Sequence, residues 1–345
     1  MTDYHHGFSH RKANFLEHFL QRNVRRLGAG VPQSLTDRLY VWGDAAPPEG
    51  QRFENVVHVE DGFLRSVGLG AAFAEPVSWV LDRQGLHHWG AHPSDLEDLI
   101  RSAPGNPEAT QRGEALLKRI RAARLTKYNT GASSWTPPAA MLGRKQILVI
   151  GQVGNDAALR GITTPVRTNM DLLESVRARE EGAFIIYKRH PDVSAGYRDG
   201  FDAEATRFAD LVVEDVALDA ILPWTEEVHV MTSLTGFEAL IRGVRVVCHA
   251  WPFYSGWGLT TDVYPNGRRA EKRSMEQIAG AALVSYPLYR DPATKSACTP
   301  ERALEYLIDK AEQARKQTRL TPRAMWRDVV AKLARGLRFT DRAVR

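Results

Sequence analysis

Cysteine is scarce: only Cys248 and Cys298 occur in 345 residues, with no metal-ligand spacing between them. That excludes a disulfide-stapled scaffold and leads us to expect two unpaired thiols in a reducing cytoplasm. Long apolar runs are also missing, and none approaches the ~20 residues that a membrane-spanning helix needs. The opening residues, MTDYHHGFSHRKANF, have no apolar stretch between a basic start and a small-residue cleavage site, so they do not read as a secretory leader. Neither Gly-x-Gly-x-x-Gly nor Gly-x4-Gly-Lys-Ser/Thr occurs, so the dinucleotide fingerprint and the P-loop are both excluded.

What is present is a globular composition, 43% hydrophobic and 25% charged, in a chain long enough for two domains. The net charge of +5 is unevenly placed. Residues 315–345 hold ten Lys/Arg and two acidic groups, a local +8 that leaves about −3 for the rest. Such a tail is either a solvated helix face or a contact for an anionic surface, lipid phosphate or acidic glycan; a nucleic-acid partner is not expected. Thr321 and Pro322 open an amphipathic helix there, with Trp326, Val329, Val330, Leu333 and Leu337 at helical spacing. It can pack on the body or lie on a membrane surface, which would make the protein peripheral on the inner membrane.

Short β-branched and aromatic runs at 38–43, 55–60 and 78–82 read as strands, and Pro93–Glu97 opens a helix. Gly131–Pro138 is the clearest linker. Beyond it, the apolar runs at 146–151, 184–188, 211–214, 227–231 and 244–248 alternate with helices near 169–179 and 236–242. This is the pattern of a doubly wound α/β sheet. The expected organisation is residues 1–140 and 141–300 as two Rossmann-like domains facing a cleft, with C-terminal helices over 301–345.

Ligands of such sheets bind outside the carboxyl ends of the strands, and three loops there carry chemistry. Gly151–Asp156 offers Asp156 as a nucleophile, a base or a helix cap. Tyr187-Lys-Arg-His-Pro191 gathers Lys188 and His190 where a phosphate could sit, or simply solubilises a strand tip. Met231–Leu240 sets the hydroxyls of Thr232, Ser233 and Thr235 at a helix start suited to an anion. Within it, Glu238 either accepts hydrogen bonds from ribose or closes a capping box with Thr235. The aromatic loop Pro252–Gly258 offers Tyr254 and Trp257 for stacking on a base or sugar, or packs under the core.

In this order the segments resemble the KpsC-type capsule polysaccharide β-Kdo transferases. The shared blocks are Glu60-Asp-Gly-Phe-Leu-Arg-Ser-Val-Gly-Leu-Gly70, Gln152 with Asp156, Tyr187-Lys-x-His-Pro191, Met231–Gly243 and Pro252–Thr260. Of the two modules that such enzymes commonly carry, the chain is most similar to the C-terminal one, and only a single module is present. The resemblance implies a GT-B enzyme that needs no metal or cofactor and moves Kdo from CMP-β-Kdo to a lipid-linked or capsule-type glycan with retention. It further implies Asp156 as nucleophile, His190 on the CMP phosphate, Ser233 on phosphate or nucleotide, and Glu238 on ribose. Glu60 would serve the acceptor hydroxyl, with Asp61 or Arg65 positioning substrate, or Arg65 pairing the donor's carboxylate. Two departures stand out: Asp156 has no acidic neighbour, and Lys-Arg-His-Pro replaces Lys-Pro-His-Pro or Lys-Thr-His-Pro. The competing readings are a catalytically degenerate glycan-binding module that partners a second transferase, and a nucleotide-sugar hydrolase or epimerase.

Overall fold

The computed structural model describes residues 2–28, 34, 36–69 and 74–320, which form two β-sheets with flanking helices. The first half contributes β1 (Asp3–His6), β2 (Arg25–Arg26), β3 (Arg38–Trp42), β4 (Asn55–Asp61) and β5 (Ser78–Asp82). The second contributes β6 (Gln146–Ile150), β7 (Phe184–Lys188), β8 (Leu211–Val213), β9 (Glu227–Val230), β10 (Arg245–Cys248) and β11 (Thr261–Asp262). Helices α1 (His10–Leu20), α2 (Asp95–Ser102) and α3 (Pro107–Ala123) belong to the first half. The second has α4 (Ala157–Arg160), α5 (Asn169–Arg179), α6 (Pro191–Ser194), α7 (Leu218–Ile221) and α8 (Thr235–Ile241). The described residues end with α9 (Met275–Ala279), β12 (Pro287–Arg290), β13 (Ala297–Cys298) and α10 (Pro300–Leu320).

Every strand pair of the second sheet is parallel, in the order 11-10-9-6-7-8. Residues of β6 and β7 are buried on both faces, which is why those runs are continuously apolar. From β6 the chain winds one way to β7 and β8, then the other way to β9, β10 and β11. The switch point therefore falls between β6 and β9, and the loops after these strands flank a crevice.

The first sheet runs 13-12-5-4-3-1-2 and is mixed. Here the domain limits read from sequence need correcting. Strands β12 and β13 lie inside the 141–300 segment, yet β12 pairs antiparallel with β5, so the chain rejoins the first sheet before residue 300. The strand escapes notice because it starts with Pro287 and carries Arg290, which is buried with its guanidinium 5.1 Å from the Phe15 ring. The amphipathic helix expected from Thr321 lies outside the described residues. Among the described residues, no helix is long and apolar enough to cross a membrane.

Two contacts fix the returning chain and the second half onto the first. Helix α3 crosses α9 so closely that a Cβ on Gly113 would lie 2.4 Å from the Gly280 nitrogen, and one on Gly280 would lie 2.6 Å from the Ala109 carbonyl oxygen. Only glycine fits at that crossing. Glu97 of α2 reaches Arg269 at 2.9 Å and Arg268 at 3.2 Å, with the Glu97 and Arg269 side chains each 2% exposed. Burial pushes the Glu97 carboxyl up, but hydrogen bonds from Arg268 and Arg269 outweigh it and hold the group below the usual range. Its stabilisation is therefore present above the unfolded-state value and is lost as pH falls through the lower, folded one. Glu97→Gln leaves two guanidiniums under-compensated and should cost about 3–5 kcal/mol in denaturant unfolding at pH 7. The gap from the parent protein should narrow in acid. An unchanged midpoint at pH 7 would show that this clamp carries no stability.

Candidate active site

The loops at the switch point are held together by one side chain. Gln152, just after β6, accepts from the Thr232 amide at 3.0 Å and donates to the Thr232 hydroxyl at 3.0 Å, bridging the two loops. Asn169 fixes Gln152 from the other side by exchanging hydrogen bonds with its backbone. Gln152 thus ties the loop after β6 to the loop after β9 and fixes their spacing at the switch point.

Asp156 caps α4, its Oδ1 accepting from the Ala158 amide at 3.0 Å, so the cap and a reactive carboxylate are the same residue. It remains partly exposed, close enough to two histidines to pull on their protonation. One is His190, the cap of α6, whose Nδ1 accepts from the Asp192 amide at 3.1 Å. Burial lowers the His190 pKa, against opposing pulls from Asp192 and Asp156. Beside it, Lys188 is buried without a hydrogen-bond or ion-pair partner among the described residues, and burial brings it down to about 8 against Asp215 and Glu238. A buried ammonium left unpaired is a receptor for an anion.

The α8 start completes this side. The Ser233 hydroxyl accepts from the Thr235 amide at 3.2 Å, and both residues remain partly exposed. The capping box read from sequence does not form: Glu238 instead accepts from the backbone amide of Lys127, 2.6 Å away and 111 residues earlier. Burial raises the Glu238 pKa, opposed by Arg242 and the Lys127 bond. A carboxylate so placed ties the halves together.

From the first sheet, Glu60 and Asp61 end β4. Asp61 is occupied: it takes Arg65 Nε at 2.6 Å and the Trp79 indole at 3.2 Å. Arg65 is buried and also donates to the Ser66 hydroxyl at 2.7 Å, so the pair shapes the floor of the cleft. Glu60 has no such ion pair among the described residues. Burial raises its pKa to about 7, reinforced by the charge of Asp61 and countered by the Asp61 amide and by Lys12 and Lys127. A carboxyl poised near neutrality suits proton transfer.

The structure overturns the stacking role for the aromatic loop. Tyr254 and Trp257 are 0% and 1% exposed, the phenol donating to the Ser233 carbonyl and the indole to that of Phe253 at 2.8 Å. They pack as core and support the α8 start from beneath.

Three groups were not read from the sequence. Lys127, between α3 and the linker, lies within electrostatic reach of Glu60, Asp61, Arg65, His88, His190 and Glu238, and so joins both halves. Lys12 of α1 sits 3.1 Å over the Trp42 ring; burial depresses its pKa while Asp61 and Glu60 pull it up. His88 faces Asp156 from the first half. None of the three belongs to a recognisable spacing. Among the described residues, Glu180, Glu227 and His229 could together meet a cation. However, Lys145 bridges both carboxylates there, and Glu227 opens β9 at the end opposite the crevice.

Comparison with known proteins agrees with this architecture. The family model described as capsule polysaccharide biosynthesis protein matches residues 50–120 and 111–289. The capsule polysaccharide modification protein LipA of Neisseria meningitidis is 38% identical over 286 residues, 81% of this chain and 40% of LipA. The lipopolysaccharide-processing protein LpsZ of Rhizobium meliloti is 37% identical over 250 residues, 71% of this chain and 57% of LpsZ. The chain thus spans about two fifths of LipA's length and less than two thirds of LpsZ's. Two solved structures of Thermosulfurimonas dismutans KpsC superpose over nearly all of their length. The β-Kdo 2,7 transferase has a TM-score of 0.75 at 31% identity, covering 90% of this chain and 99% of its own. For the β-Kdo 2,4 transferase the values are 0.77 and 29%, with 89% and 98% covered. The two-domain α/β fold is therefore of the GT-B type expected, and the chain belongs to the capsule polysaccharide biosynthesis protein family.

Proposed function

We propose that this chain is a retaining glycosyltransferase that moves Kdo from CMP-β-Kdo to a capsule-type glycan or glycolipid, without a metal. The observation that carries the reading is convergence: an open carboxylate, Asp156, shares one crevice with anion receptors on the nucleotide side and with Glu60 on the other. The likeness to the KpsC structures points to the same chemistry.

In the first displacement an Asp156 oxygen attacks the anomeric carbon of Kdo, and the bond to the phosphate oxygen breaks. CMP leaves with that electron pair, its new charge met by His190, Lys188 and the hydroxyls and amides at the start of α8. In the second, the acceptor hydroxyl attacks the same carbon from the vacated face, passes its proton to Glu60 and releases the Asp156 carboxylate. Two inversions restore the starting configuration. The acceptor enters from the first half, and the protein works at the cytoplasmic side of the inner membrane.

Asp156→Asn keeps the helix cap, because Asn caps about as well as Asp. It should lower transfer by at least about a thousandfold with CMP affinity preserved, as read by product analysis and calorimetry. Mass spectrometry of the parent protein with donor alone should show a Kdo adduct on the peptide containing Asp156. A fully active Asn variant would remove Asp156 from the nucleophile role.

The pH profile gives a second test. As a base, Glu60 must be ionised, so kcat/KM should rise through about 7; the fall beyond about 8 follows neutralisation of Lys188. Glu60→Gln should erase the rising limb and Lys188→Met the falling one. Because the folded state holds the Glu60 proton more tightly than the unfolded state, Glu60 costs stability as pH rises from the unfolded value through about 7. The Gln variant should therefore melt higher than the parent at pH 8, with the gain fading toward pH 5. A rising limb that survives in Glu60→Gln would assign the base elsewhere.

A further inference from the structure

His87 and His88 both contain a buried ring nitrogen without a hydrogen-bond partner among the described residues, Nδ1 in His87 and Nε2 in His88. The surroundings of the two differ. His87 is wedged among aromatic rings, 4.8 Å from Phe63 and 5.9 Å from Tyr286, where its ring fills core. His88 lines a recess between the two halves, closed by Gly90 from its own loop and by Ala158, Gly161, Thr232 and Trp251 from the other side. Ala158 is the second residue of α4, directly after the Asp156 cap, so the recess opens beside the carboxylate proposed to meet the sugar.

The lining decides what fits. Among the described residues no charged side chain lines this recess, and the charges that act on His88 from beyond it are of both signs, Asp156 and Asp44 against Lys127 and Arg160. Its walls are mostly Gly, Ala and Thr, leaving room for a compact neutral polar group. Gly90 approaches Trp251 so closely that a Cβ on it would lie 2.3 Å from the Trp251 carbonyl oxygen, and this contact holds the His88 loop against the second half. With charges of both signs acting there, nothing in the recess singles out a phosphate or carboxylate, and an uncharged lining suits a hydroxyl.

We propose that His88 is a specificity-determining residue whose Nε2 hydrogen-bonds a hydroxyl of the donor's sugar as it sits beside Asp156. This rests on the glycosyl-transfer reading above. Burial brings the His88 pKa down to about 4, against the opposing pull of Asp156, so the ring is neutral under physiological conditions and matches a neutral partner. The bond orients the sugar and leaves the nucleotide untouched.

Two substitutions separate this bond from simple packing. His88→Phe keeps a ring but loses the nitrogen; His88→Gln places an amide nitrogen near the position of Nε2. With the parent protein turning over CMP-Kdo, the Phe variant should lose about 10–100-fold in kcat/KM for the donor while CMP inhibits it unchanged. The Gln variant should stay within about fivefold. Among singly deoxygenated donors, one should lose as much with the parent as CMP-Kdo loses with the Phe variant, and lose nothing more in that variant. Equal activity of parent and Phe variant, or a parallel loss of CMP affinity, would overturn the assignment. If the variants do not fold, nitrogen NMR of histidine-labelled parent protein decides the matter directly. The His88 resonance should move with a non-transferable CMP-Kdo analogue and stay still with CMP alone or acceptor alone. Movement with acceptor alone, or none with the analogue, would overturn the donor assignment. A parent protein that neither binds CMP nor transfers sugar would instead remove the glycosyl-transfer reading itself.

Discussion

A lysine held where the two halves meet sets the terms for everything around it. Taking an ammonium out of water costs several kcal/mol, and at Lys127 that cost is opposed by Tyr128 and by the carboxylates of Asp61 and Glu60. The backbone of the same segment is pinned on both sides. Its amide goes to Glu238 on α8, and its carbonyl accepts from the Ser66 amide at 3.3 Å. Two residues on, the Asn129 side chain donates to the Ser66 carbonyl at 3.0 Å. One short stretch therefore fixes the distance between the carboxylates ending β4 and the start of α8. The cleft has its width because this segment spans it.

Charge is partitioned across that cleft. On the second-sheet side stands Lys188, whose ammonium has no carboxylate partner among the described residues; on the first-sheet side stands Glu60, brought to near neutrality; and a recess with an uncharged lining lies beside Asp156. Burial generates all three conditions: it lowers Lys188, raises Glu60 and keeps His88 uncharged. A site for a sugar that leaves one phosphate and meets one hydroxyl needs such a division.

Much of this was legible in the chain itself. Continuous apolar runs gave β6 and β7 to within a residue, because a strand covered on both faces has no room for polar side chains. The loops carrying Asp156 and His190 were placed correctly just after strands, because turn residues and Pro191 mark where those apolar runs stop. Elsewhere the pattern was silent for physical reasons. Helix α3 buries Ala109 and Gly113 where a longer apolar residue would have announced a face, since α9 leaves no room for one. The aromatics of 252–258 looked like a stacking platform, but glycine-hinged aromatic loops have the same composition whether they meet a ligand or the core. Glu238 sat at capping-box spacing while its partner lay 111 residues away, and no local rule reports a contact made by tertiary folding. Lys127 and His88 share that invisibility, having acquired their roles only when the halves closed on each other.

The central claim is that groups from both sheets form one site for a cytidylate sugar, and a crystal of the Asp156→Asn protein soaked with CMP-Kdo tests it most directly. The account predicts phosphate oxygens about 3 Å from His190 and the α8 start, with the anomeric carbon about 3–3.5 Å from the side chain at position 156. Nucleotide bound outside the β6–β9 crevice, or a sugar turned away from that side chain, would contradict it.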